Sequence, residues 1–281
     1  MIDTLYVNGC SWTSGTELEE DPAFLEYLKD HNWRRQDPTD PINWNIIDEQ
    51  DNIVSRFEYY YDEFNWAGEL KKKLNIPNLV NQSIGAASNH RILRTTIDYI
   101  RKFPKENYKN LFVIIGWTSC DRNEIHINNS WQRFNPTQKF SSTYDDLNPI
   151  NKQSLDGLDK FQDIYTANVH NDYTGIYEYL QMNMLLANML ENLGIRYFFF
   201  NALPPWWEGG HLKSDCDVNK EFKLEIEEHN SHNNFLRTYD NMYYFINNNK
   251  FPLATYLHPL REGHAAWADY LHSNLVERKI V

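Results

Sequence analysis

The chain has 281 residues, 41% of them hydrophobic, and a formal net charge of −12. That length buries one sizeable core in a single domain, residues 1–281. The acidic balance argues against a nucleic-acid partner, which needs clustered Lys and Arg to neutralise phosphates. No apolar run reaches the roughly eighteen residues that a membrane span requires. The first residues enter a strand without the basic and apolar parts of a signal peptide. Three scattered cysteines, Cys10, Cys120 and Cys216, do not found a disulfide framework. A cytoplasmic protein is therefore expected. The abundance of Asn and aromatic residues reads as a lineage bias of AT-rich phage or bacterial genomes and carries no mechanism.

Short apolar runs alternate with helical patterns, the signature of a parallel sheet covered on both faces. Strands are predicted at 2–7, 78–81, 111–115, 196–201 and 242–246. A helix over 64–74 ends before Asn75 and Pro77, and another starts behind Ser88 as N-cap and stops at Pro104. The helix over 173–193 carries Ile176, Leu180, Asn183, Ala187 and Leu190 at helical spacing, with Gly194 placed to cap it. A last helix turns Ala265, Ala268, Leu271 and Leu275 inward. Two long segments interrupt the alternation, at about 16–63 and 123–171, and both leave from carboxyl ends of strands, where open α/β sheets bind ligands.

Two short segments carry chemistry. Gly9-Cys10-Ser11-Trp12-Thr13-Ser14-Gly15 follows the first strand, so it exposes a hydroxyl at the sheet's carboxyl edge. His258-Pro259-Leu260-Arg261-Glu262-Gly263-His264 precedes the last helix and can deliver an imidazole to the same edge. The chain resembles the SGNH/GDSL hydrolase family in these two segments. Gly9, Ser11, Thr13 and Gly15 fall in register with that family's first block, Gly-Asp-Ser-x-Thr-x-Gly, with Cys10 for the Asp. His258-Pro259 and Gly263-His264 fit its last block, with Thr255 where an Asp is usual. Asn81-Gln82-Ser83-Ile84-Gly85 looks like the second block, whose Gly is an oxyanion donor. Gly116-Trp117-Thr118-Ser119 stands at the third, with Thr118 in place of the Asn. The resemblance spans the chain in order. It implies a three-layer α/β/α fold with a flavodoxin-like, five-stranded parallel sheet and two long inserts.

It also implies roles. Ser11 would be the nucleophile and His258 the general base, with the amides of Ser11 and Gly85 and the hydroxyl of Thr118 receiving the oxyanion. The base needs its second nitrogen held. With Thr255 at the Asp position, a backbone carbonyl can orient the ring, or an acid such as Asp240 or Glu262 can swing in. Without a carboxylate partner, activity would be low. His264 reads as a structural residue. His211, Asp215, Cys216, His229 and His232 lack the short spacings of a zinc site, and no metal or other cofactor is expected. Cys10 and Cys120 read as small buried hydrophobes.

Candidate substrate-binding residues sit at the strand ends. Asn89 and Arg91 open a helix whose N-terminus suits an anion, and Arg122 follows the third strand. Trp12, Trp117, Trp206 and Trp207 lie after three strands, where indole faces can wall a sugar or an acyl chain. The sequence therefore predicts a serine ester hydrolase, acting on a small-molecule ester or an O-acyl group of a carbohydrate through an acyl-enzyme. The same apparatus with a sugar hydroxyl as acceptor would be an O-acyltransferase. A non-catalytic module binding carbohydrate or protein through the aromatic rim is the rival from another class.

Overall fold

The computed structural model describes residues 2–35, 45–47, 53–56, 62–127, 130–134, 157, 160–165, 168, 172–205, 220 and 222–281. In chain order its elements are β1 (Thr4–Gly9), α1 (Ser11–Ser14), α2 (Pro22–Asp30), β2 (Arg34–Arg35), β3 (Asn45–Ile47) and β4 (Ile53–Arg56). There follow α3 (Trp66–Lys73), β5 (Asn78–Asn81), α4 (Asn89–Lys102), β6 (Leu111–Trp117), β7 (Asn123–Ile127) and β8 (Ser130–Phe134). The chain ends with α5 (Asp172–Asn192), β9 (Arg196–Asn201), α6 (Lys223–Ser231), α7 (Met242–Asn248) and α8 (Arg261–Glu277).

Four strands pair in parallel in the order β5-β1-β6-β9. Every residue of β1 and β6 is buried, as expected of central strands covered on both faces. The half-exposed β5 is an edge. On one face Trp66 of α3 and Trp267 of α8 pack on Phe200, with ring centroids 5.2 and 5.3 Å away. On the other, Tyr6 stacks on Tyr99 of α4 at 4.4 Å, and the Tyr179 hydroxyl of α5 donates to Asn201 Oδ1 at 2.7 Å. The fold is thus the expected mixed α/β arrangement, a parallel sheet flanked by helices, with four strands among the described residues rather than five.

The missing strand has a local cause. Residues 242–246 form α7, because the Asn241 side chain accepts from the Tyr244 N–H and caps a helix. Met242 and Ile246 are buried one turn apart, so the short apolar run has helical rather than alternating periodicity. The fifth position is instead touched by a single parallel bridge, Phe235 to Phe199 on β9.

The other predicted elements are present with small shifts at their ends. Ser88 accepts from the Arg91 N–H at 3.1 Å as the N-cap of α4, and Gly194 adopts a positive φ of 68° just past α5. The first insert carries β2, β3 and β4 as an antiparallel set and a small core of its own, where Leu18, Phe24 and Leu28 pack with Tyr27, Trp33 and Phe64. The second begins as the hairpin β7–β8. Glu124 there accepts two 2.9 Å hydrogen bonds from the Arg94 guanidinium of α4, which also lies over the Trp131 ring. No described helix is long and apolar enough to cross a membrane.

Candidate active site

β1 ends at Gly9, paired in register with Gly116 of β6. Both glycines are needed for steric reasons, since a Cβ at either position would collide with Thr13 Oγ1. The two strand ends therefore form a floor on which α1 sits, and Thr13 is fully buried against it. Cys10 N-caps this single turn, its carbonyl accepting from the Thr13 and Ser14 N–H groups. Gly15 closes the turn with φ 84°, a left-handed conformation that favours glycine. Ser11 is thereby held at the start of α1, directly above the sheet edge. Among the described residues its hydroxyl makes no hydrogen bond, whereas its carbonyl is fixed by Ser14 Oγ at 3.0 Å and by the Thr16 N–H at 3.2 Å.

The loop after β5 closes on the same edge. Gln82 and Ile84 donate from their N–H groups to the carbonyls of Val7 and Gly9 at 2.9 and 3.2 Å. Gly85 follows, and a Cβ there would meet nothing within 4 Å, so its backbone borders open space. A cavity of about 520 Å³ adjoins this loop, between Ser14, Ser83, Asp62 and Arg91.

His258 arrives from the far end of the chain. Its Nδ1 lies 2.7 Å from Glu17 Oε2, and both side chains are largely buried. Glu17 also accepts from the backbone N–H of Tyr256 at 3.0 Å and of His258 at 3.4 Å. An acidic series extends the clamp. Glu20 Oε2 accepts from the N–H and hydroxyl of Thr255 at 2.8 and 3.0 Å, and Asp21 Oδ2 accepts from the Arg261 N–H at 3.0 Å while Oδ1 caps α2. Glu17 itself has a φ of 71°, a strained conformation for a residue with a side chain, and it occurs where the carboxylate is aimed at the ring. The expectation that His258 lacks an acid partner is therefore corrected. Neither Asp240 nor Glu262 takes the role; Glu17 does, from the opening of the first insert.

A carboxylate on Nδ1 holds the proton there and leaves Nε2 as the basic nitrogen. Burial pushes the His258 pKa below the usual 6.5, Glu17 pulls the other way, and the charge of Arg122 adds to the downward shift. The ring is thus neutral at pH 7 and able to accept a proton.

Of the remaining predicted residues, Trp12 is buried in the core beside His258, its ring 6.3 Å from that of His258 and 5.3 Å from that of Tyr243. Arg122 is half-buried on the loop after β6. Trp117 is likewise a core residue, fully buried with its ring edge-on to Phe199 at 5.8 Å, so it walls no cleft. As the last residue of β6 it points into the layer between sheet and helices. Asn89 is buried too, and both ends of its amide are spent on the Thr118 backbone at 2.9 and 3.0 Å, which makes it a tether rather than an open binding group. Thr118 is fully buried, and its hydroxyl has no partner among the described residues. Trp206 and Trp207 lie outside the described residues.

His264 sits beneath the site. Its Nδ1 accepts from the Trp66 N–H at 3.3 Å, tying α8 to α3, and complete burial drives its pKa down to about 3. Cys10 and Cys120 are both buried. Among the described residues no group of three or more His, Cys, Asp or Glu is placed to hold a metal ion. Of the loose histidine set, His229 and His232 are described, and both pack on Phe235.

Several solved structures align with nearly the whole chain at low similarity. The psychrotrophic esterase EstA from Pseudoalteromonas sp. is 11% identical, with a TM-score of 0.44 over 98% of this chain and 97% of its own. The lipase Lip_vut3 from a goat rumen metagenome is 11% identical, with a TM-score of 0.45 over 97% of each chain. A member of the lipolytic protein G-D-S-L family from Veillonella parvula DSM 2008 is 10% identical, with a TM-score of 0.41 over 98% and 96%. No curated protein matches the sequence significantly. Residues 45–281 match the family of unknown function DUF6071, and the chain belongs to that family.

Proposed function

We propose that this chain is a serine ester hydrolase that cleaves a small-molecule ester or an O-acyl group on a carbohydrate. The observation that carries the reading is the buried Glu17–His258 pair at 2.7 Å, on the same sheet edge as the buried Ser11, whose hydroxyl makes no hydrogen bond among the described residues. In the first step His258 Nε2 takes the Ser11 proton as Oγ attacks the ester carbonyl carbon. The amides of Ser11 and Gly85 receive the oxyanion, and the imidazolium formed is stabilised by Glu17. The C–O bond then breaks, the leaving alkoxide takes the proton from His258, and an acyl-Ser11 remains. Water attacks that acyl group with His258 again as base, releasing the acid and restoring Ser11.

No direct Ser11–His258 hydrogen bond exists among the described residues. That is compatible with the role, because such bonds commonly tighten only when substrate binds. Buried Thr118 leaves two backbone amides as the principal oxyanion donors. The presence of Glu17 removes the reason for expecting a slow enzyme. A fluorophosphonate probe tests the reading: it should label Ser11 in the native protein and leave Ser11→Ala unlabelled. A folded native protein that stays unlabelled would instead support a binding module.

A further inference from the structure

The loop between β6 and β7 is rigidly fixed. Asn89 holds the Thr118 backbone, the Cys120 N–H donates to the Pro205 carbonyl at 2.8 Å, and the Arg122 N–H donates to Ser119 at 3.3 Å. Arg122 is thus placed at the carboxyl edge of the sheet, and its charge is felt at His258. Its guanidinium Nη1 is sealed from solvent and has no hydrogen-bond partner among the described residues. Among the described residues no carboxylate forms an ion pair with it. Glu17 and Glu20 are occupied by the His258 loop, and the Oδ1 of neighbouring Asp121 is itself buried with no hydrogen-bond partner among the described residues. A buried, unpaired guanidinium N–H bears its full desolvation cost with no return in the free protein. Arginine is also the side chain whose planar fork matches an oxyanion.

We propose that Arg122 is a specificity residue that binds an oxyanion carried by the substrate, so that the preferred esters are anionic. The claim rests on the ester-hydrolase reading of Ser11 and His258 and adds the substrate class. A carboxylate, phosphate or sulfate on the acyl or alcohol part would supply the same acceptor oxygens. With a net charge of −12 the protein as a whole repels anions, so this selectivity comes from one local donor.

The test compares mono-p-nitrophenyl glutarate with p-nitrophenyl butyrate, an anionic and a neutral ester of similar length. The native protein should favour the anionic ester. Arg122→Gln should reduce that preference roughly 10- to 100-fold, the scale of one charge-assisted hydrogen bond, and Arg122→Lys should restore part of it. Because the variant also removes a solvent-sealed guanidinium N–H that has no acceptor among the described residues, its Tm without ligand should rise. An unchanged preference, or a lower Tm with equal losses on both esters, would overturn the proposal. Binding of succinate, phosphate and sulfate to Ser11→Ala, measured by calorimetry, separates the two claims and the possible anions. Anion binding that Arg122→Gln abolishes, in a native protein that hydrolyses neither ester, would sustain Arg122 and defeat the hydrolase. Hydrolysis without any anion binding would do the reverse.

Discussion

The two ends of the site are built by opposite means. At the Ser11 end most constraints lie within a few residues: Gly9 gives room for Thr13, a one-turn helix follows, and Gly15 ends it, with Gly116 of the neighbouring strand the long-range contribution. At the His258 end the constraints come from 235 to 241 positions away in sequence, as Glu17, Glu20 and Asp21 seize the loop before α8. Backbone geometry demands particular residue types at fixed spacing, so it leaves a motif. A carboxylate needs only to reach its partner in space, and it can migrate from one loop to another without leaving one. Position 255, where the resemblance led to an expected Asp, holds Thr255, which donates to the acid at position 20, while the carboxylate on His258 comes from position 17.

The largest effect should come from breaking the long-range end. Glu17→Gln preserves shape but removes the charge, and its amide can present the wrong group to Nδ1. Turnover should fall by about 10⁴, as when a triad carboxylate is lost in serine proteases. Asp240→Asn and Glu262→Gln should leave turnover close to native. Steady-state kinetics on a p-nitrophenyl ester distinguishes these variants, and a native-like rate in Glu17→Gln would dissolve the contrast between the two ends.

Buried histidines set the next effect, on stability. His264 and His229 have folded pKa values near 3 and 4 because burial disfavours the charged ring. In the unfolded chain each binds a proton as pH falls through about 6.5, while the folded protein stays neutral. Stability is therefore fully present above pH 6.5 and lost as pH falls towards 4, by up to ~2.7 kcal/mol per pH unit for the two groups. Urea midpoints at pH 7.5 and 5.0 should differ accordingly. His264→Leu should flatten the dependence, although losing the contact to the Trp66 N–H lowers stability at every pH.

Breaking the local end should cost stability. Gly9→Ala forces a methyl group against Thr13 and should destabilise by about 1–3 kcal/mol. Thr13→Ala, combined with it, should recover part of the loss, a coupling that a double-mutant cycle measures. The smallest effect is expected for Glu20→Gln, which weakens two hydrogen bonds to an exposed Thr255 and should cost about 0.5–1.5 kcal/mol. Turnover should drop only a few-fold, because Glu17 still holds the ring.

The same contrast explains what was legible in the sequence. The positions of the four strands, the Ser88 cap and the long helix ending before Gly194 follow from apolar periodicity and capping residues, which act locally. Residues 242–246 misled because a short apolar run suits either a strand or a helix, and Asn241 decided it by capping. Trp117 looked like a cleft residue because it ends a strand, yet its ring turns into the core. Asn89 looked open to a ligand because it starts a helix, yet its amide is complementary to the Thr118 backbone. Glu17 was visible only as one acid among many in an acidic insert. Its one local signal was its nearness to Gly15, just past the nucleophile turn, and that spacing identifies no partner.

The central claim is that Glu17 fixes His258 as the Nδ1-protonated tautomer with a basic Nε2. Nitrogen NMR on ring-labelled His258 at pH 7.5 tests it most directly. The structure predicts a proton on Nδ1, a bare Nε2, and a pKa below the usual 6.5. In Glu17→Gln the tautomer preference should weaken. A native ring protonated on Nε2, or titrating identically with and without the Glu17 carboxylate, would contradict the account.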